Sequence, residues 1–575
     1  MKVCFKRGVA FAIAASMSAC ATLPEQNSEQ QTVQKPFTEN PGDTTFEHPT
    51  ADIMYQIFVA ELATQRGAPE VAAKFYVDAA KKSGDASIAS RAVRIASFAD
   101  NKADALEAAK IWAKSSPEDI EAKRVLAVLY LRNNLFDDAK TLLSELLKDD
   151  EEGISRNILL TGALLQREAS LDGALKVTKH LLEQHPEEAE SHYIHASIAM
   201  QAGEKDEALK SIQNALEIKA NWADAAILYP RVLQEFGRND DAVAYFKKFL
   251  KNNPKADNVR LAFARTLVDT RDLEDARSQF ELLAVKMPNN QDVLFALAML
   301  SMQFKDFDEA EGYLTQLERL GKSSPQVLYY LGQIGEQKEQ YDAARNAYSK
   351  IRSGEFFIES QMRITVILAK TKTVDEALAH LANIPTKTEE EKRELMLFKG
   401  NLLRDFKRYQ EAFDFYTVLL TENKNDPDIL YFRSLVAERL DKIDIVIQDL
   451  GFVIEQDPEN AAALNALGYT LADKTDKLDE ALKLIQRARD LEPDDPAIID
   501  SLGWVHFRLG NQEAALKYLK EALDKIDDAE VAAHYGEALW SAGEKDKAIE
   551  IWKKAKEKND TNDVLNETME RFSIE

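Results

Sequence analysis

Residues 465–493 read NALGYTLADKTDKLDEALKLIQRARDLEP. Leu467 and Gly468 stand on a first apolar-periodic stretch, Ala481 and Ile485 on a second, and Pro493 follows. Apolar residues spaced three and four apart share one face of a helix, so the segment predicts two helices joined by a polar turn. Glycine lowers helix propensity, so Gly468 is tolerable where close packing compensates. Alanine at 481 suits the same close crossing, because a larger side chain would hold the two backbones apart. Proline cannot continue a helix, so Pro493 ends the second one.

The pattern recurs along the chain. Ala72, Ala105, Ala139, Ala174, Ala208, Ala242, Ala276, Ala310, Ala344, Ala377, Ala412, Val446, Ala481, Ala515 and Ala548 follow one another at steps of 33 to 35 residues. Val446 alone relaxes the alanine rule. One turn beyond the small residue a large apolar side chain returns, as at Tyr76, Phe246, Tyr348, Tyr416 and Trp552, and only Ala109 and Thr178 break this series. Twelve positions before it a glycine recurs at Gly162, Gly332, Gly400, Gly503 and Gly536, and twelve after it a proline at Pro117, Pro186, Pro254, Pro288, Pro458 and Pro493. A period near 34 with helical patterning implies stacked helix pairs, each touching only its neighbours.

A Leu-Gly pair, a small alanine, an aromatic and a closing proline in that order resemble the tetratricopeptide repeat. The clearest copies are residues 465–493 and the two that follow, SLGWVHFRLGNQEAALKYLKEAL (501–523) and AHYGEALWSAGEKDKAIEIWKKA (533–555). The resemblance covers roughly residues 51–559. It implies an all-α, right-handed superhelical solenoid of about 15 helix pairs. The final polar segment, 560–575, fits a capping helix. Two copies depart from the pattern: Pro230 stands where the glycine would be, and the pair around Ala377 lacks the Leu-Gly signature. Glycine and proline together make 37 of 575 residues, too few for a turn-rich β fold.

The first 19 residues form an export signal. Lys2, Lys6 and Arg7 precede a short apolar run from Gly8 to Ala15, too short to span a bilayer, and Ser18-Ala19 lead into Cys20. Small residues before a cysteine resemble the bacterial lipobox, although Met17 stands where leucine is usual. The resemblance implies cleavage before Cys20 and acylation of that residue, and Ala21 after it implies the outer membrane. An ordinary secretory signal would instead leave Cys20 as a lone exposed thiol. The other cysteine, Cys4, lies within the signal, so the mature chain forms no internal disulfide. From Cys20 to residue 50 the sequence is polar and proline-bearing, a flexible linker with a reach of roughly 30 Å.

Losing three basic residues with the signal moves the formal net charge from −25 to −28. Such a chain is a poor match for nucleic acid or anionic lipid surfaces. Acidity equally serves to keep a long apolar solenoid soluble. His180, His185, His192 and His195 are the densest histidine group, and His192 and His195 lie one turn apart. Both fall at repeat positions that usually pack, so no metal site is expected. No phosphate-binding glycine string, nucleophile elbow or zinc-protease helix occurs, and almost no sequence lies outside the repeats to build a catalytic domain. The expectation is a non-enzymatic protein without cofactor or small-molecule substrate.

In the family the resemblance points to, the first helix of each pair lines the concave face. Applied to the C-terminal copies, that register places Tyr469, Trp504, Phe507, Arg508 and Trp540 there. Aromatics and arginine suit partner contacts; packing between helices is the competing role for each. The whole chain resembles the large outer-membrane tetratricopeptide lipoproteins that act as adaptors for periplasmic carboxy-terminal processing proteases. That resemblance implies a scaffold facing the periplasm that brings such a protease to its substrates, cell-wall hydrolases. The alternative is an assembly factor for a secretion, pilus or exopolysaccharide-export complex.

Overall fold

The computed structural model describes residues 49–148, 153–321 and 324–574. Cys20, the export signal and the linker up to residue 48 lie outside these. The described residues hold 31 helices and no strand. The first thirty form fifteen pairs, from Pro49–Gln65 with Pro69–Ser83 to Ala529–Ser541 with Lys545–Lys558, and the last, Asp563–Arg571, stands alone. This is the all-α solenoid with a terminal helix that the repeat spacing predicts.

The quoted segment shows how each pair is built. The Asn460 side chain accepts from the Ala463 amide at 2.9 Å and starts the helix Ala461–Lys474. Leu464, Leu467 and Leu471 are buried along one stripe of that helix. The return helix, Leu478–Leu491, buries Ala481, Ile485 and Ala488. A Cβ added at Gly468 would lie 2.6 Å from Ile485 Cγ1, so the glycine is a close-packing residue. The helix stops two residues before Pro493. A second proline, Pro496, opens the next helix, and Asp495 caps it through the amides of Ala497 and Ile498 at 2.8 and 3.1 Å.

Between the helices of most pairs one residue takes the left-handed conformation. Glycine fills it at Gly67, Gly203, Gly237, Gly510 and Gly543, while Asp100, Asn134, Arg271, Lys305, Glu339, Lys407 and Asp441 occupy it without glycine. The irregular copies keep their register. Pro230 is buried inside the helix Ala223–Glu235, which runs through it. Around Ala344 and Ala377 the second helices shrink to nine residues, Tyr341–Ser349 and Val374–Ala382.

The helices fall into two compact units, divided between Leu317 and Glu318. In the C-terminal unit a continuous core runs from Leu403 to Val505. A separate one around Trp552 is closed by Leu565 and Met569 of the last helix. In the N-terminal unit the cores follow one another along the stack.

Candidate functional site: the first-helix wall of the C-terminal unit

The first helices Pro427–Arg439, Ala461–Lys474, Pro496–Arg508 and Ala529–Ser541 lie in sequence order and contribute one row of side chains. Four of the five expected residues meet there. Trp504 is only 6% exposed; its ring stacks on His534 at 4.3 Å and on Phe507 at 5.2 Å, and its Nε1 donates to Asp473 Oδ1 at 3.1 Å. Arg508 donates from Nη1 to the Asp473 carbonyl at 2.8 Å. Tyr469, half-buried, lies with its hydroxyl 3.3 Å from His534 Nε2 and 3.4 Å from Glu530 Oε1. Trp540 is elsewhere, in the terminal cluster with Trp552 and Phe572 at 5.9 and 5.1 Å, with Lys545 Nζ 4.7 Å from its ring centre.

The centre of the group is a residue the repeat register did not single out. His534 is buried, and its Nδ1 lies 2.9 Å from Asp500 Oδ2. Burial alone would push its pKa down, but the Asp500 carboxylate and its hydrogen bond outweigh that and raise it to about 9. The imidazolium thus donates from both nitrogens, to Asp500 and to Tyr469. Burial, followed by the Glu530 and Asp473 charges, holds the Tyr469 phenol neutral, well above the usual tyrosine range. Glu530 also faces Arg439 Nη2 at 3.8 Å, and Arg439 faces Glu438 at 3.5 Å. Burial raises Glu438, with Arg439 opposing. Asp473, Asp500, Glu530 and His534 were missed because repeat register marks positions, not the groups that end up opposite one another. For Asp500 and His534 the available signal was a titratable residue at first-helix positions that mostly carry apolar ones, such as Leu397 and Phe398 or Tyr329 and Tyr330; Asp473 and Glu530 stand where other copies are also polar.

The wall is therefore a mixed-charge surface with an aromatic floor. Half-buried Phe507, Arg508 and Tyr469 and exposed Arg439 are among its accessible members. It offers ion pairs, hydrogen bonds and stacking to a polypeptide. The N-terminal unit has an opening of a different kind, a cleft of about 550 Å³ lined by Ile120, Val125, Leu143, Asn157, Leu160 and Leu164 among others.

The histidine group serves packing. His195, buried, lies 3.1 Å from Thr178 Oγ1 and 3.4 Å from Glu207, and burial lowers its pKa so that it is neutral. His192 reaches the Pro186 carbonyl at 2.9 Å. Among the described residues no three metal-type donors come together, and no helix is long and apolar enough to cross a membrane.

Comparison with known proteins matches this architecture. Tetratricopeptide-repeat family models match residues 189–221, 233–300, 295–355, 435–496, 471–530 and 501–563. The TPR repeat-containing protein PA4667 of Pseudomonas aeruginosa is 37% identical over 486 residues, 84% of this chain and 82% of that protein. Bacteriophage adsorption protein A of Escherichia coli is 30% identical over 96 residues, 17% of this chain and 10% of that protein. Among solved structures, a thermophilic TPR protein of Thermus thermophilus matches 32% of this chain and 99% of its own at 22% identity and a TM-score of 0.29. A tetratricopeptide repeat protein of Parabacteroides merdae matches 49% and 97% at 17% identity and a TM-score of 0.31. On the repeats matched along the chain and a relative aligned over most of both sequences, this chain belongs to the tetratricopeptide-repeat family.

Proposed function

We propose that the chain is a protein-binding scaffold held at the periplasmic face of the outer membrane by a lipid on Cys20. Its proposed work is to bring a carboxy-terminal processing protease together with its substrates, cell-wall hydrolases. The observation that carries the scaffold reading is the series of fifteen helix pairs among the described residues from Pro49 to Lys558, which leaves contact surface as the main product of the fold. The lipid anchor is supported by the basic residues, short apolar run and small residues before Cys20, and the protease role by resemblance to adaptor lipoproteins. The C-terminal wall supports a polypeptide ligand, since its charges alternate in sign and its aromatics are fixed in place.

The test is capture of partners from envelope extract by the full chain tagged at its C-terminus, followed by mass spectrometry. Recovery of a processing protease with cell-wall hydrolases is the expected result. A secretin, barrel or polymer-export component without a protease would assign the chain to envelope assembly instead. Phe507→Ala and Arg508→Glu, at accessible positions of the wall, should reduce the recovered partner. Undiminished capture by these variants would exclude the wall as the binding surface. Trp504 is unsuited to that experiment because its removal also strips the stack over His534.

A further inference from the structure

The helix Pro49–Gln65 has two apolar faces. One packs inward through Ile57 and Ala60 onto the core of the first repeats. The other shows Met54, Phe58 and Leu62, spaced four apart, at 67, 66 and 37% exposure. The repeat register says what this outer face is. Phe58 and Leu62 stand four repeats before Ile194 and Ile198 and five before Leu228 and Val232, and all four of those are buried. Ile194 and Ile198 are covered by Leu165, Val177 and Leu181 of the preceding repeat, and a Cβ on Gly162 of that repeat would meet Ile194 Cγ2 at 2.5 Å. Leu228 and Val232 are covered in the same way by Ala208, Ile212 and Ala215. The first repeat thus presents a stacking face built like those of the repeats that begin at Ala189 and Ala223, with no described repeat before it; in the repeat that begins at Ile154 the same position, Leu160, is 53% exposed beside the cleft of about 550 Å³. At the other end, Asp563–Arg571 buries Leu565 and Met569 and turns Asn566, Glu567 and Glu570 outward.

We propose that this face is an interface between two copies of the chain, packed as antiparallel helices about a two-fold axis at Phe58. Four observations favour a second copy over other occupants. The stripe is self-complementary: reversing one helix on the other sets Phe58 against Phe58 and Met54 against Leu62, as an isologous contact requires. The charges beside it are neutralised within their own chain, Asp52 by Lys82 at 2.5 Å and Glu61 by Arg91 at 2.7 Å, so two acidic molecules meet there with little repulsion. A lipid surface fits poorly, because the helix carries no basic residue, whereas interfacial helices are rich in lysine and arginine. Residues 20–48 supply no apolar run at helical spacing that could stand in for a repeat. The three side chains leave on the order of 400 Å² open per copy, below the usual ~800 Å² per partner, so the contact is a weak one that depends on local concentration.

The test is disulfide trapping of the full chain in the envelope of expressing cells. Phe58→Cys should yield a covalent species of twice the chain mass, at least about tenfold more than Phe98→Cys, which places a thiol at an exposed site off the stripe. The unsubstituted chain controls for Cys4 and Cys20. Co-expressed Met54→Cys and Leu62→Cys chains should cross-link to each other rather than to themselves. Phe58→Cys trapping no better than Phe98→Cys would overturn the proposal, as would an adduct with a different protein. Self-linked Met54→Cys and Leu62→Cys chains would overturn the antiparallel arrangement.

Discussion

At the scale of single residues the molecule depends on a few close approaches and one buried charge pair. Gly536 faces Trp552: a Cβ there would lie 2.1 Å from the indole Nε1, which is fully buried and donates to the Ala533 carbonyl at 3.2 Å. Glycine to alanine in a helix ordinarily gains up to ~1 kcal/mol. Here the ring has nowhere to move, so Gly536→Ala should lower stability by about 1–3 kcal/mol, read by chemical denaturation. His534 gives the second expectation. Its pKa rises from about 6.5 in the unfolded chain to about 9 in the folded one, so its contribution is complete below pH ~6.5 and is lost as pH climbs through ~9. Amide protection factors in residues 529–541, which remove the base-catalysed rise of intrinsic exchange, should fall over that window and not at acid pH. His534→Ala leaves Asp500 buried with both oxygens unpartnered, since Oδ1 already lacks a partner, and should cost about 3 kcal/mol. His534→Ala together with Asp500→Asn should recover part of that loss; no recovery would mean that packing against Trp504, not charge, is what the histidine supplies.

At the scale of the helix pair, the sequence was most legible where a repeat rule constrains one position. Alanine at a close crossing, glycine opposite it and proline after the return helix each have a local cause, so the pairs follow from spacing alone. The first-helix wall was legible only as a row. Tyr469 and His534 are 65 positions apart and Trp504 and Asp473 are 31 apart, and how such residues face each other depends on the angle between successive pairs, which no single repeat encodes. Trp504 accordingly lies in the row while spending most of its surface on its own chain. The turns between helices show the same limit. Lys305 occupies at φ 64 the left-handed site that glycine fills in five other turns, and it is exposed. A non-glycine residue there costs roughly 1–2 kcal/mol, partly offset by the freedom glycine adds to the unfolded chain. Lys305→Gly should therefore stabilise by about 0.5–1 kcal/mol, visible as a higher denaturation midpoint, whereas the same change at helical Lys517 should destabilise.

At the scale of the whole chain, a stack in which each repeat touches its neighbours predicts that damage stays local. The last helix tests this within the C-terminal unit. Leu565 and Met569 fill the core around Trp552, Phe572 stacks on Trp552 at 5.3 Å, and Arg571 reaches Glu537 with two bonds of 3.1 and 2.9 Å. The same helix also makes one distant contact, Lys407 Nζ to Asp563 at 2.6 Å, across 156 positions. Both partners of that pair are about half exposed, and such pairs are worth ~0–1 kcal/mol. Removing residues 563–575 should therefore speed exchange strongly in 529–558, where Trp540 and Trp552 lose their cover, and hardly at all in 389–405. The exposed aromatic surface should also make the truncated chain associate at concentrations where the intact one stays dispersed, because its high net negative charge does not screen a new apolar patch at the end of the stack. Equal quickening in 389–405 and in 529–558 would mean that the Lys407–Asp563 pair couples distant repeats, and that the C-terminal unit opens as one body rather than from its end.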